Sequence, residues 1–165
     1  MKLTIGSGPH YAPGWVNLDV ASLPEWKTPP DVLASVYDMP FEDGTFSKIY
    51  LGHVLEHLMW ATLPKALAEV RRVAVPGAEV VAVGPCIELA RQTKQPQWLL
   101  DAIIAREGSE GGFEHAWTPT AALTQEALEI GGLRQVKLVS VSEIRKPEWP
   151  NPSNALWQCA VKAIV

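Results

Sequence analysis

Short apolar runs recur along the chain, and those in its first half have the length and composition of β-strands. Leu63, Leu67 and Val70 instead recur at helical spacing, and Pro76 with Gly77 ends that pattern. The strand-like runs are rich in Val, Ile and Leu and are bounded by turn residues: 2–6, 15–20, 31–37, 48–53 and 79–84. Continuous apolar runs are typical of strands buried on both faces of a parallel sheet. The pattern therefore predicts strands that alternate with helices.

The second half of the chain predicts two helices and a closing pair of strands. We expect helices from Cys86 to about 106 and from Pro119 to Gly131, a glycine-rich loop at 107–115 between them, and strands at 135–144 and 155–164. This order indicates an α/β, doubly wound, Rossmann-like sheet that is mostly parallel and ends in an antiparallel strand pair. In such sheets ligands bind beyond the carboxyl ends of the strands.

Composition and charge narrow the class of protein. A chain of 165 residues has the size of one domain, so we expect residues 1–165 to form a single domain. Apolar residues make up 47% of the chain and Glu79 interrupts its most apolar window, which disfavours disorder and a membrane span. The net charge is −4 and the basic residues are scattered, which disfavours a nucleic-acid partner. The absence of a signal-peptide pattern and the two isolated cysteines, Cys86 and Cys159, predict a cytoplasmic protein without a zinc site.

The first two predicted strands frame a candidate nucleoside site. The first ends in a glycine turn, Gly6-Ser7-Gly8, where backbone can approach a ligand closely, and the second ends in Asp19, whose carboxylate can accept hydrogen bonds from ribose hydroxyls. An ordinary tight turn is the alternative. Eight residues between Gly6 and Trp15 cannot hold a crossover helix, so we expect that helix to be shortened or absent. A dinucleotide's pyrophosphate would then lack its usual helix N-terminus, which disfavours an NAD-dependent oxidoreductase.

Further motifs follow in a recognisable order. The chain continues with "YDMPF", "EDGTF", "HVLEH" and "VPGAEVVAVGP". Together with "GSG" and "PGWVNLD", this series resembles the class I S-adenosylmethionine-dependent methyltransferases, in particular a small type 11-like branch. The chain departs from that pattern at Ser47, where the family usually has aspartate, and at Ala78, where it usually has glycine.

The resemblance implies a binding site for S-adenosylmethionine. Asp19 would bind the ribose, Asp38 the adenine amino group, and the backbone of Met39 would lie at the ring edge. His53 would lie beside the sulfonium. Both aspartates could instead bond their own backbone in turns. The implied cofactor-binding residues are Gly6, Ser7, Gly8, Asp19, Val20, Asp38, Met39 and His53.

Three residues at the end of the fourth predicted strand or just past it are candidates for catalysis. His57 is the first candidate for a general base, His53 the second, and Glu56 lies on the same side of the predicted sheet. A histidine that only caps or packs a helix is the alternative. His10, Tyr11, His115 and Trp117 could also face the methyl group, and the glycine-rich loop and residues 146–154 are candidate acceptor lids.

These features predict a methyltransferase that acts on an oxygen or nitrogen nucleophile of a small molecule, such as a sugar or metabolite. A catalytically silent or partner-dependent S-adenosylmethionine-binding protein is the alternative, and a homo-oligomer could supply missing walls of the site. Cytosine C5 methyltransferases attack through the thiolate of a Pro-Cys pair that follows the fourth strand. Here Pro85-Cys86 follows the fifth predicted strand, which disfavours a nucleic-acid methyltransferase. We expect Cys86 to be a buried apolar residue and most tryptophans to serve packing.

Overall fold

Seven strands form one sheet in the computed structural model, which describes residues 1–95, 97, 99, 114–144, 149–150 and 158–165. The strands are β1 (Lys2–Ile5), β2 (Val16–Asp19), β3 (Val32–Leu33), β4 (Phe46–Gly52), β5 (Ala74–Pro85), β6 (Arg134–Val139) and β7 (Gln158–Ile164). Their spatial order is β3-β2-β1-β4-β5-β7-β6. The first five strands pair in parallel, and β7 runs antiparallel to both β5 and β6. The predicted fold class is confirmed.

Three α-helices have both of their ends among the described residues: α1 (Leu63–Val73), α2 (Ile87–Gln92) and α3 (Ala121–Ile130). Thr120 caps α3, because its hydroxyl accepts a hydrogen bond from the Leu123 N–H at 3.0 Å. None of the helices in the described ranges is long and apolar enough to cross a membrane. The predicted helix from Cys86 to about 106 is wrong in its continuity, because α2 ends at Gln92 and residues 93 and 94 form a turn. Most of the rest of that predicted helix and most of both candidate lids, with Trp98 and Trp157, lie outside the described residues.

Alternate residues of the central strands build a core on each face of the sheet. Ile49 and Leu51 of β4 pack with helix α1 in the larger core, whereas Tyr50 points into a smaller one. Trp15 and Trp149 cover that second face, with ring centroids 5.6 Å apart. The prediction that tryptophans serve packing is confirmed for this buried pair.

The connection from β1 to β2 contains no helix, as predicted, and the buried side chain of Asn17 holds it instead. The Asn17 amide oxygen accepts a hydrogen bond from the Ala12 N–H at 2.7 Å, and its amide nitrogen donates to the carbonyls of Trp15 at 2.9 Å and Ala12 at 3.2 Å. That nitrogen also donates to the Asp31 carboxylate at 3.0 Å. One side chain therefore joins the loop to β2 and to the start of β3.

The predicted strand at 31–37 is wrong in its length, because β3 ends at Leu33 and Asp38 lies beyond it in a turn. The Ser35 hydroxyl accepts a hydrogen bond from the Tyr37 N–H at 3.2 Å, and the Asp38 N–H donates to the Ser35 carbonyl at 3.1 Å. Such local bonds compete with a strand ladder. The predicted strand at 135–144 is too long for a similar reason, since Ser140 and Glu143 bond each other in a turn.

Candidate functional site

Asp19 joins the end of β2 to the glycine turn that follows β1. One carboxylate oxygen accepts a hydrogen bond from the Gly8 N–H at 2.8 Å, and the other accepts from the Ala21 N–H at 3.0 Å. The contact with Ala21 is a hydrogen bond to nearby backbone in a turn, which is the alternative that the sequence analysis gave for Asp19. A carboxylate offers about four acceptor positions, so this buried group keeps the capacity to bind hydroxyls as well.

The glycine turn (Gly6-Ser7-Gly8) and Asp19, which together we call the cradle, have the shape and the polar groups of a ligand site. Gly6 adopts a φ of 70°, and a Cβ there would lie 2.3 Å from the Val54 methyl group. A Cβ on Gly8 would meet nothing within 4 Å, so space is open beside the turn. Between them the buried Ser7 hydroxyl has no hydrogen-bond partner among the described residues. Because buried polar groups are nearly always bonded, this hydroxyl fits a polar ligand in the turn.

The predicted adenine side of the site is partly occupied by protein contacts. The Met39 N–H donates to the Glu69 carboxylate at 3.0 Å, and the Met39 carbonyl accepts from Arg72 at 2.9 Å. The backbone of Met39 therefore already has partners, whereas the Asp38 side chain is exposed. Val20 is 61% exposed directly after Asp19, which leaves an apolar surface at the carboxyl end of β2.

His53 lies at the carboxyl end of β4, and its backbone conformation is uncommon for residues other than glycine. Its φ is 55°, and its N–H donates to the Val83 carbonyl at 2.8 Å. Its Nδ1 lies 3.1 Å from the Glu56 carboxylate, and its Nε2 contacts the Gln158 amide nitrogen. Left-handed backbone at non-glycine residues costs about 1–3 kcal/mol and clusters at functional sites.

Glu56 is a buried carboxylate that is held in its charged form. Burial alone would raise its pKa, but the hydrogen bond from His53 and the electrostatic interactions with His53 and His57 lower the pKa below its usual value. Its side chain is 3% exposed and lies against the backbone of Gly84, where a Cβ would be 3.3 Å from the carboxylate. A larger residue at position 84 would therefore crowd Glu56.

Residues 114–117 dock onto the short 3-10 turn that contains Glu56 and His57. The Ala116 N–H donates to the Glu56 carbonyl at 2.7 Å, and the Trp117 indole N–H donates to the Leu55 carbonyl at 3.0 Å. The His57 Nδ1 lies 3.1 Å from the Glu114 carbonyl. The rings of His57 and His115 are 5.0 Å apart in an edge contact. A small cleft beside this junction is lined by Leu55, Glu56, Ala82, Val83, Gly84, Trp117, Pro119 and Thr124.

The other candidate residues lie in different surroundings. His10 is exposed, and the Tyr11 hydroxyl donates to Asp31 at 2.9 Å. Cys86 is buried, as predicted, and its thiol donates to Glu88 at 3.0 Å. Sequence reasoning missed Gln158, because β7 brings it beside Pro85 of β5 and no local motif indicates that pairing.

Comparisons with known proteins agree with this geometry. Residues 16–82 match a family model described as "Methyltransferase domain". The 2-phytyl-1,4-naphtoquinone methyltransferase of Trichormus variabilis is 33% identical over 78 residues, which cover 44% of this chain and 31% of that protein. The chain thus spans about a third of the length of this curated relative.

Solved structures share the fold across nearly the whole chain. A SAM-dependent methyltransferase from Aquifex aeolicus has a TM-score of 0.61 at 16% identity, covering 99% of this chain and 81% of that chain. One from Archaeoglobus fulgidus has a TM-score of 0.60 at 14% identity, with 99% and 85% covered. Human N-acetylserotonin methyltransferase in complex with SAM has a TM-score of 0.60 at 13% identity, with 99% and 46% covered.

The strand order and the glycine turn define a Rossmann-like fold, and the candidate site lies at the carboxyl ends of its parallel strands. The family match over residues 16–82, the curated relative and these solved structures together support a class I S-adenosylmethionine-dependent methyltransferase. The resemblance stated from its motifs is confirmed.

Proposed function

We propose that this protein binds S-adenosylmethionine and transfers its methyl group to an oxygen or nitrogen nucleophile of a small molecule. One observation carries the proposal: the cradle of Ser7 and Asp19 and the His53–Glu56 pair lie at the carboxyl ends of the neighbouring strands β2, β1 and β4. A nucleoside held by the cradle would direct its far end toward the histidine. The scattered basic residues support a small acceptor over a nucleic acid.

The cofactor would be held mainly by groups that the fold has already oriented. We assign the ribose hydroxyls to Asp19, the polar methionine end to Ser7 and Gly8, and the adenine amino group to Asp38. Val20 would supply apolar contact to the base. When bound, S-adenosylmethionine supplies an electrophilic methyl carbon on a positively charged sulfur. The protein then has to orient the acceptor and remove its proton, and orientation alone can contribute about 7–11 kcal/mol.

His53 is the general base that the contacts favour, ahead of His57. The carboxylate of Glu56 can only accept a hydrogen bond from Nδ1, which places the ring proton there and leaves Nε2 as the basic nitrogen. The Gln158 amide nitrogen donates to that Nε2, so this contact would have to open before an acceptor hydroxyl or ammonium could donate there. The Nδ1 of His57 instead faces a backbone carbonyl, which orients the ring without a charged partner.

Cofactor binding is tested by thermal denaturation with S-adenosylmethionine, S-adenosylhomocysteine and NAD. A ligand at about 100 times its Kd adds about 2.7 kcal/mol, so the first two should raise Tm and NAD should not. We expect Asp19→Ala to abolish this shift and His57→Ala to retain it. Stabilisation by NAD alone would reject the proposal.

Transfer is tested with S-adenosylmethionine labelled in its methyl group and a panel of sugar, phenol and amine acceptors. A labelled product that forms with the unaltered protein and not with His53→Ala supports the proposal. Cofactor binding with no transfer to any acceptor class would support the catalytically silent alternative. We also infer a reducing, cytoplasmic compartment, which the unpaired buried thiols of Cys86 and Cys159 support. Homo-oligomerisation stays a prediction.

A further inference from the structure

We propose that Glu56, His57 and His115 form a binding site for a divalent metal ion of the zinc type. A carboxylate oxygen and one ring nitrogen from each histidine all lie within 4.8 Å of one another. Glu56 is buried and both histidines are half-buried, so the cluster is set into the protein and still reachable. The sequence did not predict this site, because its third member is distant in the chain and the fold alone brings it close.

The surrounding backbone holds the cluster together. Glu56 and His57 belong to one 3-10 turn, and His115 belongs to the segment that docks on that turn. The Ala116 N–H donates to the Glu56 carbonyl and the Trp117 indole N–H donates to the Leu55 carbonyl, next to the metal-binding side chains. The docked segment is therefore aligned before any ion binds, which lowers the conformational cost of binding.

Two imidazoles and one carboxylate are a donor set that suits zinc and neighbouring transition metals more than magnesium or calcium. Zinc binds imidazole nitrogen at about 2.0–2.1 Å, so tetrahedral ligand atoms lie about 3.3 Å apart. The cluster would have to contract by roughly 1.5 Å at most, which side-chain rotation about χ1 and χ2 can supply. Three protein ligands leave the fourth position of the metal open.

The outer contacts of the cluster match those of metal-binding side chains. The Glu114 carbonyl lies 3.1 Å from the His57 Nδ1, and a carbonyl on one ring nitrogen commonly sets the tautomer of a metal-bound histidine. His53 contacts the Glu56 carboxylate at 3.1 Å and keeps this ligand oriented. Such supporting groups keep ligands in place and raise metal affinity.

The role of the metal rests on the proposed function, although its binding does not. The open position would take the oxygen of a hydroxyl acceptor and lower the pKa of that hydroxyl, because a bound cation stabilises the oxyanion. The released proton would pass to the Nε2 of His53. The inferred acceptor class is therefore a hydroxyl compound that can coordinate a metal.

The experiment uses the whole chain, stripped of metal with a chelator, and titrates it with Co²⁺ as a spectroscopic probe and with Zn²⁺ in a calorimeter. We expect one equivalent to bind with the visible absorption of a low-coordinate Co²⁺ site. We expect His115→Ala to lower the affinity for the metal by about 10-fold to 100-fold, and His57→Gln to have the same effect. His10→Ala removes the remaining histidine outside the cluster and the His53–Glu56 pair, so it is the matched control and should bind as the parent does.

Four results would overturn the proposal, and the first three are no saturable binding, undiminished binding by both cluster variants, and an equal loss in His10→Ala. Absorption typical of cobalt thiolate would also overturn it, since the ion would then be bound by Cys86 or Cys159. Circular dichroism of each metal-free variant checks that it is folded. The thermal shift with S-adenosylmethionine, recorded without metal, reports on the proposed function separately, so the failure of one proposal is distinguishable from the failure of the other.

Discussion

The Nδ1 of His53 lies 3.1 Å from the carboxylate of Glu56, three residues further along the chain, and the two groups form the centre of the candidate site. The left-handed backbone of His53 makes this contact possible directly after β4 ends. The pair therefore depends on a strained residue at a strand end, where rigid structure on both sides can hold the strain.

Replacement of Glu56 should separate catalysis from cofactor binding. We expect Glu56→Gln to reduce methyl transfer by about 10²-fold to 10⁴-fold, because His53 would lose the carboxylate that sets its tautomer. The thermal shift with S-adenosylmethionine should persist. Transfer at the parental rate by a folded Glu56→Gln protein would contradict the assignment of His53 as base.

The same carboxylate should make stability depend on pH. The pKa of Glu56 is lower in the folded protein than its value of 4.5 when unperturbed, so the contribution of the charged form is present above about pH 4.5. That contribution is lost as the pH falls through the lowered pKa. The difference in free energy of unfolding between the parent and Glu56→Gln, measured in urea, should therefore shrink below pH 4.5. A difference that grows on acidification would contradict the predicted direction.

Glu69 should anchor the loop that carries Asp38 and Met39. Its two oxygens accept hydrogen bonds from the Arg72 guanidinium at 2.7 and 2.8 Å, and this contact with Arg72, outweighing partial burial, lowers the pKa of Glu69 to about 2. We expect Glu69→Gln to cost about 1.5–3 kcal/mol at pH 7. The loss should vanish as the pH falls from about 4.5 to about 2, because the parent carboxylate is then protonated.

A matched control for this prediction is Glu42→Gln, which alters an exposed glutamate of the same loop. It should leave the urea midpoint at pH 7 within error of the parent. Equal destabilisation by both variants would show that loop charge in general matters, and would reject the specific role of Glu69.

Asn17→Ala should destabilise the protein strongly, since it leaves the buried Ala12 N–H and two carbonyls without their partner. We expect a loss of about 2–4 kcal/mol, which corresponds to about 5–15 °C in Tm. Ser22→Ala, at an exposed position in the connection after β2, is the control and should change Tm little. A loss below 0.5 kcal/mol for Asn17→Ala would mean that the loop does not depend on this amide.

The two glycines of the cradle should respond differently to alanine. Gly6→Ala places a methyl group 2.3 Å from Val54 at a φ of 70°, so we expect misfolding or a large loss of Tm. Gly8→Ala meets no atom within 4 Å and bears only the left-handed backbone strain, about 1–2 kcal/mol. It should fold and bind S-adenosylmethionine more weakly. Thermal denaturation with and without the cofactor checks both variants, and equal behaviour would contradict the cradle geometry.

Periodicity predicted β1, β2, β4 and α1 closely, because these elements are buried and their apolar pattern decides their structure. The strand predicted at 79–84 was too short, since β5 already begins at Ala74. The length of β3 was not predictable in this way, since Ser35 and Asp38 form local bonds that no apolar pattern reveals. Asp19 and His53 could be placed at strand ends from sequence. The Gln158 contact could not, because it joins residues 105 positions apart through an antiparallel pair.

The occupied backbone of Met39 shows the same limit. Its motif indicates a ligand contact, but the N–H and carbonyl are bonded by Glu69 and Arg72, which stand on a helix 30 and 33 positions later. The local sequence "MPF" does not indicate that this helix will contact the loop. Tertiary hydrogen bonds, and not local pattern, therefore decide which groups of the loop remain available to adenine.

The side-chain amide of Asn17 holds the connection between β1 and β2, which in most crossovers between parallel strands contains a helix. Such an arrangement makes the connection short and independent of helix packing, and a hydrogen bond from the Trp15 N–H to the Ala12 carbonyl at 3.2 Å closes its last turn. The breadth of molecules admitted beside the cradle would then depend on the residues between Gly8 and Trp15 and not on a crossover helix.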